Sequence, residues 1–174
     1  SITGWTNTIA GTTSFLNTVS LTLGGNWRVS TTFTDRVIAS VPSTVYLSGT
    51  IAGTTCARTI TLGDLHGVTV SDDTFVGGTA TGLITLGDVT IENGGGLTVG
   101  TRIANDIHLG AVTGLSGGIL DINTTGTVNV TGAVGTANDP LDGITIEQSL
   151  DTTFHAPVTV SSLRRYEWNH CLYG

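Results

Sequence analysis

RTITLGDLHGVTV (residues 58–70) and GLITLGDVTI (residues 82–91) are two versions of one pattern. In each, an apolar-Thr-apolar triplet, Ile60-Thr61-Leu62 and Ile84-Thr85-Leu86, runs into Gly-Asp, at Gly63-Asp64 and Gly87-Asp88, and the copies lie 24 residues apart. Leu followed by Gly returns at Leu23-Gly24 and Leu109-Gly110, with a looser Leu47-Ser48-Gly49 between, although the spacing breaks between 47 and 62. A period of about 23–24 residues is the length of one coil of a β-solenoid, so the chain holds about seven coils.

Outward from that repeat, further triplets recur: VYL at 45, VTV at 68, LTV at 97, IHL at 107, LDI at 120, VNV at 128, ITI at 144 and VTV at 158. Strand alternation sends the two apolar residues of each triplet to one face and the middle residue to the other. Isolated hairpins of such short strands are marginal in water. Stacked coils give every strand two neighbours and cover each apolar face with the next. The expected fold is therefore all-β, a parallel β-solenoid, with an antiparallel β-sandwich as the alternative. Hairpin signals are scarce, Asn93-Gly94 and Asp142-Gly143 being the exceptions. A second duplication, TIAGTT at 8–13 and again at 50–55, has a spacing of 42 that does not fit the 24-residue period.

Composition agrees with strands. The 174 residues include 34 Thr and 25 Gly, no Lys and no Met, and only 11% are charged. Thr suits a pleated, half-exposed surface and Gly tight turns, while most good helix formers are scarce. With 39% hydrophobic residues the chain should fold. A net charge of −7 with six Arg offers no basic face, which argues against nucleic acid as a partner, and no apolar run is long enough for membrane insertion. The chain opens on Ser1 with no visible signal peptide, which reads as a processed product or a piece of something longer.

Two stretches depart from the pattern. Residues 26–43 are the least repetitive and read as an inserted loop, a short helix or an end cap closed by Pro42. RRYEWNHCLYG, residues 164–174, follows a single repeat domain of residues 1–163. It reads as a cap or a subunit-docking segment, with Arg164, Arg165, Tyr166, Trp168 and Tyr173 as its assembly residues.

Candidate chemistry is sparse. Asp64 and Asp88 share a repeat position, and Asp139 and Asp142 sit in a turn, so oxygen ligands for calcium could gather at coil corners. The competing reading is that each Asp accepts backbone hydrogen bonds at a turn. Asp72-Asp73 is the tightest carboxylate pair, but adjacent strand residues face opposite ways, against a general acid and base. His66, His108, His155 and His170 lack metal-ligand spacing. Cys56 and Cys171 leave two readings open, a disulfide in an oxidising compartment or two separate buried thiols. No catalytic residues and no enzyme activity are expected, and no cofactor beyond calcium.

From Gly126 to Leu163 the sequence resembles the repeat units of large secreted bacterial surface proteins, the autotransporter passengers and the filamentous-haemagglutinin type. Gly126, Val128, Val130, Gly132, Val134, Gly135, Pro140, Leu141, Phe154, Pro157 and Val158 carry the likeness. It implies an extracellular, right-handed parallel β-helix that serves as a stalk, adhesin or fibre at the cell surface, with copies of itself as partner. The alternative from another class is a carbohydrate-binding or carbohydrate-cleaving β-helix, like a phage tailspike module, with a host or cell-surface glycan as partner.

Overall fold

The structure, a computed structural model, describes residues 2–9, 13–14, 20–29, 33–34, 44–53, 58–62, 67–78, 81–92 and 94–166. Among them lie seventeen strands and no helix. The first eight are β1 (Ile2–Ile9), β2 (Thr13–Ser14), β3 (Ser20–Val29), β4 (Phe33–Thr34), β5 (Thr44–Gly53), β6 (Arg58–Leu62), β7 (Val68–Val76) and β8 (Thr81–Leu86). Then come β9 (Val89–Ile91), β10 (Gly96–Val99), β11 (Ile107–Leu109), β12 (Val112–Gly114) and β13 (Ile119–Asn123). The series closes with β14 (Thr127–Val130), β15 (Gly143–Glu147), β16 (Asp151–Phe154) and β17 (Leu163–Tyr166).

Every strand pairing is parallel, so the sandwich alternative falls and the chain is a parallel β-solenoid. Parallel neighbours need a long crossover, and here the remainder of each coil supplies it. One sheet runs β1-β3-β5-β7-β10-β13-β15-β17, and a second runs β2-β4-β6-β8-β11-β14-β16. A third face forms where the start of β7 pairs with β9 and β9 with β12, and single bridges from Val112 to Val134 and on to Val158 prolong it. One full coil is thus β9, β10 and β11. The two hairpin-like dipeptides serve coil corners: Gly94, at φ 68°, lies between β9 and β10, and Asp142-Gly143 leads into β15.

The repeat that announced the fold lies in direct register. Ile60, Ile84, Ile107 and Val128 stack in one column and Leu62, Leu86, Leu109 and Val130 in the next, all buried. Successive coils in these columns take 21 to 24 residues. Leu23 and Leu47 belong to a different column, which continues through Val70, Ile91 and Gly114 on the third face. The break between 47 and 62 is therefore a change of face, not an irregular coil. The TIAGTT copies also find their reason: Thr50 aligns with Asn26 and, through it, with Thr6. The copies sit two rungs apart and two residues out of register, a shift that preserves the inward and outward alternation.

Two stretches that depart from the repeat are placed in part. Residues 26–29 belong to β3, paired with β1 and β5, so the irregular stretch begins inside the sheet, while residues 35–43 lie outside the described residues. Arg164-Arg165-Tyr166 lies in β17 and pairs with β15, so the first residues of the tail form the next rung.

Among the described residues the buried hydrophobic core consists of Val, Ile and Leu, with Phe154 and Val160 packed at its edge. Each buried aliphatic side chain contributes roughly 1.5–3 kcal/mol. The Leu-Gly recurrence has a packing cause at Gly110: a Cβ there would stand 2.5 Å from Asp88 Oδ1 and 2.7 Å from the Gly87 carbonyl carbon. Only a residue without a side chain lets the coil below approach so closely.

Candidate functional site

Corners between faces are where polar side chains do structural work. The Asp73 carboxylate accepts from Gly96 N–H at 2.9 Å, Asp88 from Ala111 N–H at 2.8 Å, and Asp106 from both Thr127 N–H at 2.9 Å and the Thr127 hydroxyl at 2.7 Å. Thr101 does the same for Gly78 N–H, and Asn123 for Arg102 N–H. Each bond joins one coil to the next and supplies an acceptor to a backbone donor at a turn. The Thr127 amide and hydroxyl hold Asp106 below the usual carboxylate range, with His108 adding to them against a small opposing effect of burial.

Of the calcium ligands expected from sequence, Asp88 follows this logic, and Asp139 and Asp142 make turn and inter-coil bonds through their backbone groups. Asp88 is engaged by Ala111. Asp139 closes a turn in which its N–H donates to Thr136 Oγ1 and its carbonyl accepts from Thr136 N–H, both at 3.0 Å. Asp142 donates its N–H to the Gly118 carbonyl at 2.9 Å. Among the described residues no three His, Cys, Asp or Glu side chains are grouped to hold a metal ion. Asp64, Cys56, Cys171, His66, His170, Trp168 and Tyr173 lie outside the described residues. His108 and His155 are exposed, and His155 Nε2 lies 2.6 Å from Asn129 Oδ1.

A buried polar cluster, Asn105 with Thr124, closes one corner. Thr124 Oγ1 accepts from Gly126 N–H at 2.9 Å and lies 2.9 Å from the Ile103 carbonyl and 3.0 Å from the Asn105 side-chain amide. A hydroxyl has one proton to give. The amide orientation that turns Asn105 Nδ2 toward Thr124 Oγ1 lets that nitrogen donate there and leaves the Thr proton for a carbonyl.

Outward-facing residues of the first sheet form a concavity. Thr98, Asp121 and Thr145 stand in register on β10, β13 and β15, and Glu147 and Tyr166 are paired two residues further along β15 and β17. They line a groove of about 600 Å³ together with Phe75, Ile119 and Arg164. At its rim Arg102, a non-glycine residue at φ 47°, reaches Glu147 Oε2 with Nη2 at 3.0 Å and Nε at 3.3 Å. Asp121 is half-buried, and burial pushes its carboxyl above the usual range, helped by Glu147 and opposed by Arg102. Its Oδ1 is shut from solvent and has no hydrogen-bond partner.

The assembly residues expected from sequence are placed in part. Leu163, Arg164, Arg165 and Tyr166 are all exposed on β17, the last strand of its sheet, and Leu150 on the neighbouring loop is 76% exposed. Asp121, Arg102 and Glu147 were not singled out by sequence reasoning. A signal existed: Asp121 is the one carboxylate at the centre of an aliphatic triplet, and Arg102 is the one Arg between Arg58 and Arg164.

Comparison with family models, curated proteins and solved structures finds no match to this chain.

Proposed function

We propose that this chain is a structural module of an extracellular surface protein, a β-solenoid that builds or extends a fibre or adhesin stalk by rung-on-rung stacking between copies. The observation that carries the reading is the terminal rung. Among the described residues β17 is the last strand of its sheet, its four residues are exposed, and Leu163 within it and Leu150 beside it present apolar surface. A strand at the end of a parallel stack offers a template for another. Exposed edges are commonly blunted by Lys, and this chain has none.

The likeness of residues 126–163 to bacterial surface repeats supports the same reading. Within that stretch Val128, Val130, Val134 and Leu141 are core residues, so four of the positions that carry the likeness stack coils, while Pro157 and Val158 are exposed.

Negative-stain electron microscopy across a concentration series tests it. Filaments with a regular axial repeat are expected, and Leu163→Glu should shorten them or abolish them. Isolated short rods at every concentration would remove the fibre and leave a stalk module that does not self-associate.

A further inference from the structure

The groove over the first sheet has a use that rung stacking does not need. Its floor is a ladder with one side chain per rung: Phe75, Thr98, Asp121 and Thr145 in register, prolonged to Thr50 on one side and Arg164 on the other. Six rungs separated by five spacings of about 4.8 Å give a track of roughly 24 Å. The strand backbones are consumed in the parallel ladders, so a ligand lying on this face meets side chains only.

Asp121 is the group that lacks an explanation. Thr98 and Thr145 flank it, yet its buried Oδ1 receives no hydrogen bond. Leaving a buried acceptor unmade costs about 1–3 kcal/mol, and such groups in native folds call for a reason. The carboxyl borders the groove.

We propose that the groove binds a neutral oligosaccharide laid along the rungs, with sugar hydroxyls donating to Asp121 and Glu147 and the apolar face of a ring resting on Phe75 or Tyr166. The chemistry selects this class. Acceptors and hydroxyls on the floor suit a ligand rich in donors, and Phe75 on β7 and Tyr166 on β17 suit a ligand with apolar ring faces. A floor of Thr, Asp and Glu is too polar for an apolar peptide or a lipid chain. A net charge of −7 works against a polyanion.

Isothermal titration of the whole chain with cellohexaose, xylohexaose, mannohexaose and chitohexaose, and with hexagalacturonate as the anionic comparison, tests the proposal. At least one neutral hexasaccharide is expected to bind with Kd below about 1 mM. Asp121→Asn should weaken that binding about tenfold, the range of a hydrogen bond to a charged group. Thr98→Val, which exchanges one hydroxyl for a methyl, should weaken it a few-fold and carries the test if the first variant does not fold. Absence of binding by every neutral probe, preference for hexagalacturonate, or affinity unchanged in the folded variants would each overturn the proposal. Filament formation is measured separately, and because Arg164 and Tyr166 of β17 belong to both surfaces, the binding variants are placed at Asp121 and Thr98, away from the terminal rung.

Discussion

Arg102 and Glu147, 45 residues apart in sequence, meet across an intervening strand, with Arg102 Nη2 3.0 Å from Glu147 Oε2. Arg102 follows β10 and Glu147 ends β15, so the pair clasps two rungs over β13 between them. Arg102 holds this position at a positive φ that non-glycine residues seldom adopt, while its N–H bonds to Asn123 on the strand it bridges.

That clasp should contribute modestly, because the Arg102 side chain is largely solvent-accessible and that of Glu147 partly so. A double-mutant cycle of Arg102→Ala and Glu147→Ala, read by urea unfolding, is expected to give a coupling of about 0.5 kcal/mol that shrinks at high salt. A coupling several times larger would mean that the pair is far less hydrated than its exposure indicates.

Core columns should behave very differently from their outward neighbours. Leu86→Ala deletes a fully buried side chain stacked between Leu62 and Leu109, and a loss of about 3 kcal/mol is expected. Thr85→Ala, one residue away on the outward face, should change stability by less than about 0.5 kcal/mol. Equal losses in the two variants would contradict the inward and outward assignment of β8.

Gly110→Ala places a methyl against the backbone of the coil below. Overpacking of this kind costs about 1–3 kcal/mol, and the thermal midpoint should fall accordingly. A neutral outcome would show that adjacent coils separate at this corner without cost.

Two carboxylates should shape the acid response with opposite signs. Asp106 has a folded-state pKa below its ordinary value, so its stabilisation is present above the ordinary carboxylate range and is lost as pH falls through the folded pKa. Asp121 has a folded-state pKa above its ordinary value, so the stability it contributes is present below that range and is lost as pH rises through the folded pKa. Thermal melts between about pH 3 and 7 should therefore separate the variants. Asp106→Asn should remove part of the decline toward acid, and Asp121→Asn part of the decline toward neutral pH, raising the midpoint at pH 7. Identical profiles for both variants and the parent would refute these assignments.

The sequence by itself determined that the chain coils. The two TLGD repeats, the apolar-polar-apolar triplets and the abundance of Thr and Gly are local signals, and each acts through the backbone geometry of its own strand. They sufficed for a parallel solenoid with inward columns such as Ile60-Ile84-Ile107. Asp88 was legible as a corner residue because its repeat position carries that meaning.

Tertiary stacking decided what a period alone does not carry. Which of three faces a Leu-Gly step lies on depends on turn lengths summed along the coil, so Leu47 and Leu62 look like one series and belong to two. The groove has the same origin. Thr98, Asp121 and Thr145 lie 23 and 24 residues apart and become neighbours only when coils of unequal length settle into register. Burial of the Asp121 carboxyl and the reach of Arg102 to Glu147 follow from that register, because desolvation and charge proximity are properties of distance in space.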